Sequence, residues 1–198
     1  MEEAEIDESN AMTLASERPP AVWLDHFVVA IRNLDAGIDA FEALAGVTPV
    51  YGGEHPGLGT HNALASLGRD RYLEILAPRP GATLDPFFSG ASECATLTPI
   101  LWAFATDDIE ALHGVVTSAG FAANAPSPGA RLTRGGETLR WTILTMSDEG
   151  PAGAPFFLQW DAASGHPAAS SPPGCSLESY TVTSPRHAWR AWRSPASC

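Results

Sequence analysis

With 198 residues, 44% of them hydrophobic, the chain is long enough for one well-packed domain or two small halves sharing a core. Its 23 acidic and 11 basic residues give a formal charge of −12, which repels nucleic acid and anionic lipid headgroups, so neither is expected as a partner. No basic segment leads into an apolar stretch, no predominantly apolar run reaches the ~18 residues a membrane span needs, and Cys94, Cys175 and Cys198 form no close pair, so a reducing, cytoplasmic setting is expected.

Glu2, Glu3, Glu5, Asp7 and Glu8 crowd the start, and residues 1–21 read as a disordered acidic tail. Residues 23–31 are rich in β-branched and aromatic side chains and predict a strand, with Leu24, His26, Val28 and Ala30 on one face. Asn33 suits a helix N-cap; Leu34, Ile38, Phe41, Leu44 and Ala45 recur at helical spacing, and Gly46 ends the run. Residues 47–51 predict a short strand ending at Gly52-Gly53, and residues 54–59 form a Gly-rich loop containing His55. Residues 60–67 and 71–77 read as strands joined by a hairpin turn at 68–70.

Residues 79–98 have the Pro, Gly, Ser and Thr content of a linker, with a short helix or turn at 85–88. The pattern then restarts. Residues 100–105 predict a strand, and Asp107 or Asp108 caps a helix carrying Ile109, Leu112, Val115 and Val116, closed by Gly120. Residues 139–145 and 156–160 supply the last two strands. Laying residues 33–36 over 108–111 sets Leu101 opposite His26, and laying 72–75 over 157–160 sets Gln159 opposite Glu74. The expected fold class is therefore α+β, with two βαβββ modules at 22–78 and 99–161 forming one domain over 22–161. Residues 162–198 make a Ser-, Pro- and Ala-rich extension with a candidate strand at 176–183.

Residues 24–31 (LDHFVVAI), 55–62 (HPGLGTHN), 72–78 (YLEILAP), 155–160 (PFFLQW) and the pair His166-Pro167 resemble the glyoxalase-like domain proteins of the vicinal oxygen chelate superfamily. The HPGLGTHN block is the most specific part of the likeness, which covers residues 22–183. It implies paired modules whose sheet curves into a cup holding the active or binding site, with a divalent metal bound by the first and last strands of each module. It also implies a small-molecule ligand and chemistry of lyase, isomerase or dioxygenase type. Metal-free binding and resistance proteins share this fold, so the fold alone does not select a reaction.

On the strand reading, His26 and Glu74 both point into such a cup, and imidazole nitrogen with carboxylate oxygen suits Zn, Fe, Mn, Co or Ni. Gln159 is a weaker third donor, and Leu101 cannot coordinate anything. Glu74 and His61 are the candidates for moving a proton, while His55, His61, Asn62, Tyr72, Phe157 and Gln159 are the candidates for contacting substrate. A two-residue turn at Arg69-Asp70 puts His61 in the cup, and a turn one residue longer puts Asn62 there, because a one-residue slip reverses the faces. Trp102, Phe104, Phe156, Leu158 and Trp160 fall on the helix side by the same alternation. Exposed sheet edges leave room for a homodimer.

Overall fold

Asn33 accepts the Ala36 N–H at 2.9 Å, and Gly46, at φ 69°, turns the chain out of the helix, so the segment between them is α1 (Leu34–Ala45). It sits in a first unit of β1 (Val22–Ala30), α1, β2 (Val50–His55), β3 (Thr60–Gly68) and β4 (Arg71–Pro78). Asp108 caps the second helix in the same manner, accepting the Ala111 N–H at 2.9 Å. That helix belongs to a second unit of β5 (Thr98–Thr106), α2 (Ile109–Ser118), β6 (Ser127–Leu132), β7 (Thr138–Leu144) and β8 (Phe156–Trp160). A 3-10 helix, Pro86–Glu93, lies between the units, and α3 (Pro167–Ser170) follows them. The computed structural model describes residues 18–133, 135–147 and 153–181.

The strands form one mixed sheet in the order β2-β3-β4-β1-β5-β8-β7-β6. β1 is parallel to β4 and β5 is parallel to β8, while β1 and β5 meet antiparallel at the centre. The two units are thus repeats of one plan, related about the central seam. Both helices cover the same side of the sheet. α1 buries Leu34 and Phe41 against Ile31, Ala63, Ala65, Ile75 and Ala77, and α2 buries Ile109 and Leu112 against Leu144 and Phe157. The buried stripes are narrower than the sequence suggests, since Leu44 and Val115 face solvent. With one side covered by helices, the sheet curls the other way and its opposite face becomes the wall of a cup.

Two differences from the expected elements bear on that cup. β2 begins at Val50 and runs through the glycines to His55, because a bulge between Tyr51 and Gly53 keeps it paired to β3. Gly53 has φ 147°, and a Cβ there would lie 2.7 Å from the Leu132 carbonyl oxygen of β6. The two edge strands therefore approach backbone to backbone, and the curved sheet nearly closes. β6 itself is not visible as a strand in the sequence, since it contains Pro128 and Gly129. An edge strand tolerates proline because one side has no ladder to complete, and a Cβ on Gly129 would collide with the Trp141 indole.

Residues 176–181 form no strand, contrary to the candidate strand at 176–183, whose last two residues lie outside the described set. This stretch is still tied to the sheet, as Leu177 donates to the Leu67 carbonyl and Ser66 to that of Pro172. Of the expected acidic tail, residues 1–17 also lie outside the described set. Among the described residues no helix is long and apolar enough to cross a membrane.

Candidate functional site

Asp25 and His26 are neighbours in β1, and in a regular strand they would point to opposite faces. The β1–β5 register shifts between Leu24 and His26, making Asp25 the extra residue of a bulge. The two side chains meet, with His26 Nδ1 2.6 Å from Asp25 Oδ1. Asp25 is fully buried, and its other oxygen accepts from Trp160 Nε1 at 2.9 Å and His166 Nε2 at 3.0 Å. His166 Nδ1 accepts the Ala168 N–H at 3.2 Å, which leaves the proton on Nε2 facing Asp25. Burial alone would raise the Asp25 carboxyl, but hydrogen bonds from His166, His26 and Trp160 outweigh it and hold the group well below the usual carboxylate range. An ionised carboxylate can only accept, so it fixes the Nδ1–H tautomer of His26 and turns Nε2 to the cup. Tyr72 stacks on the His26 ring at 4.4 Å and Phe156 meets it edge-on at 5.4 Å, which locks its plane.

Across the β3–β4 hairpin, Arg69 and Asp70 make a two-residue turn with left-handed φ values of 49° and 58°. Ser66 then pairs with Tyr72 and Gly68 with Arg71, so Leu67 bulges out of the ladder. That bulge shifts the phase, and Asn62, not His61, shares the cup face with Tyr72 and Glu74. Asn62 Nδ2 donates to Glu74 Oε1 at 2.7 Å. His26 Nε2 lies 3.6 Å from Glu74 Oε2, and His55 Nε2 lies 3.9 Å from Oε1. His55 is held in turn by Thr60 Oγ1, 3.0 Å from its Nδ1. Burial would raise the Glu74 carboxyl, yet the charges of His55 and His26, the Asn62 amide and Arg131 together bring it below its ordinary value. Burial pushes His55 down, towards the neutral imidazole.

The second unit lines the cup quite differently. Leu101, Trp141, Ile143, Phe156, Leu158 and Trp160 form its wall. The face assignment of β8 from the sequence is corrected here, because the overlay of 72–75 on 157–160 is one residue out of phase with the sheet. β8 pairs Phe157 with Phe104, and Phe157 packs in the helix-side core with Ile109, Leu112 and Leu144. Gln159 also points to the helix side. Its Oε1 accepts the Ile109 N–H at 2.9 Å and its Nε2 donates to the Asp107 carbonyl at 3.0 Å, closing the start of α2. Trp102 and Phe104 face the helix side as expected, and meet edge to face. His61 lies outside the cup, its ring edge-on to Tyr51. Neither Phe157, Gln159 nor His61 is placed to touch a ligand in the cup.

The cavity volume is about 700 Å³, and Leu58, Phe87 and Phe88 also line it. A divalent ion held by His26, Glu74 and Gln159 is not supported by this donor set. His26 and Glu74 face one another, but Gln159 is committed to α2, and the cup positions of the second unit carry Leu101, Phe156 and Leu158. Among the described residues no three His, Cys, Asp or Glu side chains are arranged so that they could hold a metal ion. The residues present do not make up the expected ligand set.

Three side chains of the site are not recognisable as such in the sequence: Arg131, Trp160 and His166. The bulge that turns Asp25 inward has no local signature, and Trp160 was assigned to the opposite face. Arg131 lies on the unrecognised β6, is buried, and donates from Nη1 to the Gly52 carbonyl across the closing edges. His166 was visible only as the His166-Pro167 pair, in which Pro167 starts α3 and His166 caps it.

A family model described as a glyoxalase-like domain matches residues 24–195. No curated protein matches the chain. Among solved structures, a hypothetical protein from Staphylococcus aureus superposes with a TM-score of 0.60 at 22% identity, over 76% of this chain and 63% of that one. The chain therefore spans less than two thirds of that protein. A hypothetical protein from Bacillus halodurans C-125 gives a TM-score of 0.52 at 17% identity, over 73% of this chain and 97% of that one. A variant methylmalonyl-CoA epimerase from Streptomyces coelicolor, in complex with 2-nitronate-propionyl-CoA, gives 0.50 at 20% identity, over 72% and 96%. At these identities the likeness is one of fold.

Proposed function

The chain belongs to the glyoxalase-like domain family of the vicinal oxygen chelate superfamily, and from that premise we propose that its cup is the active site of an enzyme moving a proton on a small oxygenated molecule. The observation that carries this reading is Glu74. It is 8% exposed, yet its surroundings favour the charged form over the neutral one. Such a carboxylate, held by Asn62 and facing two imidazoles, is equipped to take a proton from a carbon beside a carbonyl group. The carbon–hydrogen bond breaks, the proton goes to Glu74, and the electron pair moves onto the carbonyl oxygen as an enolate. Return of the proton to the opposite face of the same carbon gives the epimer. In an α-hydroxy ketone, where the hydroxyl proton moves to the enolate oxygen, its return to the former carbonyl carbon gives the isomer with the carbonyl transposed. His26, with Nε2 open to the cup and Nδ1 fixed by Asp25, and His55 are the groups that hold or relay that proton.

The test is solvent exchange. In deuterium oxide, the protein should catalyse deuterium incorporation next to the carbonyl in some members of a panel of α-hydroxy ketones, β-keto acids and 1,2-diketones. Glu74→Gln keeps the shape and an acceptor for Asn62 but removes the base, and exchange should fall by about 100-fold or more. Exchange undiminished in Glu74→Gln would sink the proposal. The apolar wall of the second unit favours a second reading, a binding protein that sequesters an amphipathic compound. Thermal stabilisation by a ligand, with neither exchange nor product, would select it.

A further inference from the structure

Arg131 takes no part in the chemistry assigned to Glu74. It is 6% exposed, reaches the cup from β6, and makes no ion pair with a carboxylate among the described residues. Its one hydrogen bond there goes from Nη1 to the Gly52 carbonyl, where β6 approaches β2. A carbonyl oxygen needs a donor, not a charge, so this seam does not by itself account for a cation. The guanidinium carries four further N–H groups and a full positive charge, and holding that charge away from water without a counter-ion is costly. Its field acts on Glu74, His55 and Tyr72, which places it at the polar end of the cavity. No other Lys or Arg lines the cup among the described residues.

We infer that the cup takes a monocarboxylate with an apolar or aromatic body, its carboxylate on Arg131 and its body against Ile143, Phe156 and Leu158. Arg131 presents a planar fork that matches a carboxylate in two parallel hydrogen bonds. A single negative charge is favoured over two. Arg131 is the one cation lining the cup among the described residues, and Glu74 is already an anion there, so a bound monoanion leaves one net negative charge in the cup and a dianion leaves two. Ile143, Phe156 and Leu158 offer apolar surface in the same cavity, which suits the remainder of such a molecule. This inference rests on the cup being a ligand site, as proposed above, but not on Glu74 acting as a base.

Matched acids and amides test it. 3-Phenylpropionate with 3-phenylpropanamide, hexanoate with hexanamide, and phenyl phosphate are titrated calorimetrically into the full chain and into Arg131→Gln, Arg131→Lys and Glu74→Gln. In the unaltered chain each acid should bind about tenfold tighter than its amide, and phenyl phosphate should bind more weakly than 3-phenylpropionate. Arg131→Gln removes the charge and the fork but keeps a polar amide, and the acid-to-amide ratio there should fall to about one; Arg131→Lys should keep part of it. Should Arg131→Gln fail to fold, the ratios in the unaltered chain and in Arg131→Lys decide. Equal binding of acid and amide in the unaltered chain, tighter binding of the phosphate, or an unchanged ratio in Arg131→Gln would each overturn the inference. An acid preference that persists in Glu74→Gln while deuterium exchange is also unaffected overturns only the role of Glu74. Exchange that depends on Glu74 without any acid preference overturns only the role of Arg131.

Discussion

The two units of the sheet share one plan and line one cup, yet the first supplies His26, His55, Asn62 and Glu74 while the second supplies Leu101, Ile143, Phe156 and Leu158. A repeated fold builds two walls from one architecture, and each wall then carries its own chemistry. Here the polar groups concentrate on the first, where Asp25, Trp160 and His166 back them from behind. Trp160 and Arg131 cross the division, since both come from the second unit and act on the first. The asymmetry also decides against a symmetrical ligand set, because β5 and β8 present Leu101, Phe156 and Leu158 to the cup where β1 and β4 present His26 and Glu74.

The contrast breaks or sharpens under substitution. The largest effect is expected for Phe157→Ala, because this ring is 7% exposed in the core under α2. It should cost about 3–5 kcal/mol in urea unfolding while leaving ligand preference intact. Phe156→Ala, one residue away on the cup side, should cost less and shift ligand affinity. If the two variants behave in the opposite way, the face assignment of β8 is wrong.

Asp25→Asn comes next, since it turns a fully buried acceptor of three N–H groups into an amide that places its own donors among theirs. A loss of about 2–3 kcal/mol is expected at neutral pH. The folded-state carboxyl titrates below the unfolded one, so its contribution is fully present above the unfolded value, near pH 4, and is lost as pH falls through the folded value. Acid titration of stability should thus be steeper below about pH 4 in the unaltered chain than in Asp25→Asn. Equal slopes would mean that Asp25 is not the anchored carboxylate of the first wall.

Gln159→Ala should cost about 1 kcal/mol by freeing the first turn of α2, with deuterium exchange unchanged, as its amide serves the helix and not the cup. The smallest effect belongs to His61→Ala, on the outer face of the first unit. Its stability should stay within about 0.5 kcal/mol and its exchange rate should match that of the unaltered chain. A large loss of exchange in either variant would return that residue to the cup.

Much of the fold is legible in local chemistry. Asn33, Gly46 and Asp108 bound the helices as their side chains and backbone freedom require, and a hairpin turn within residues 68–70 follows from composition, with the pairing of its strands deciding between the two turn lengths. His26, His55, Asn62, Tyr72 and Glu74 are all cup residues named from the sequence. The errors are of another kind. Gln159, Phe157 and His61 sit on elements placed correctly but on the wrong face of them, and Arg131 sits on a strand whose proline hides it.

The sequence by itself determined where helices and most strands form and that the plan repeats, because periods of 3.6 and 2 and the capping residues are properties of neighbouring residues. Tertiary structure alone decided which side chains meet. Bulges at Asp25 and Leu67 reverse the faces beyond them, and the bulge is set by pairing with another strand, not by the residue that bulges. The approach of β2 to β6 brings Arg131 to a wall 79 residues away in the chain, a contact that exists only once the sheet has curled.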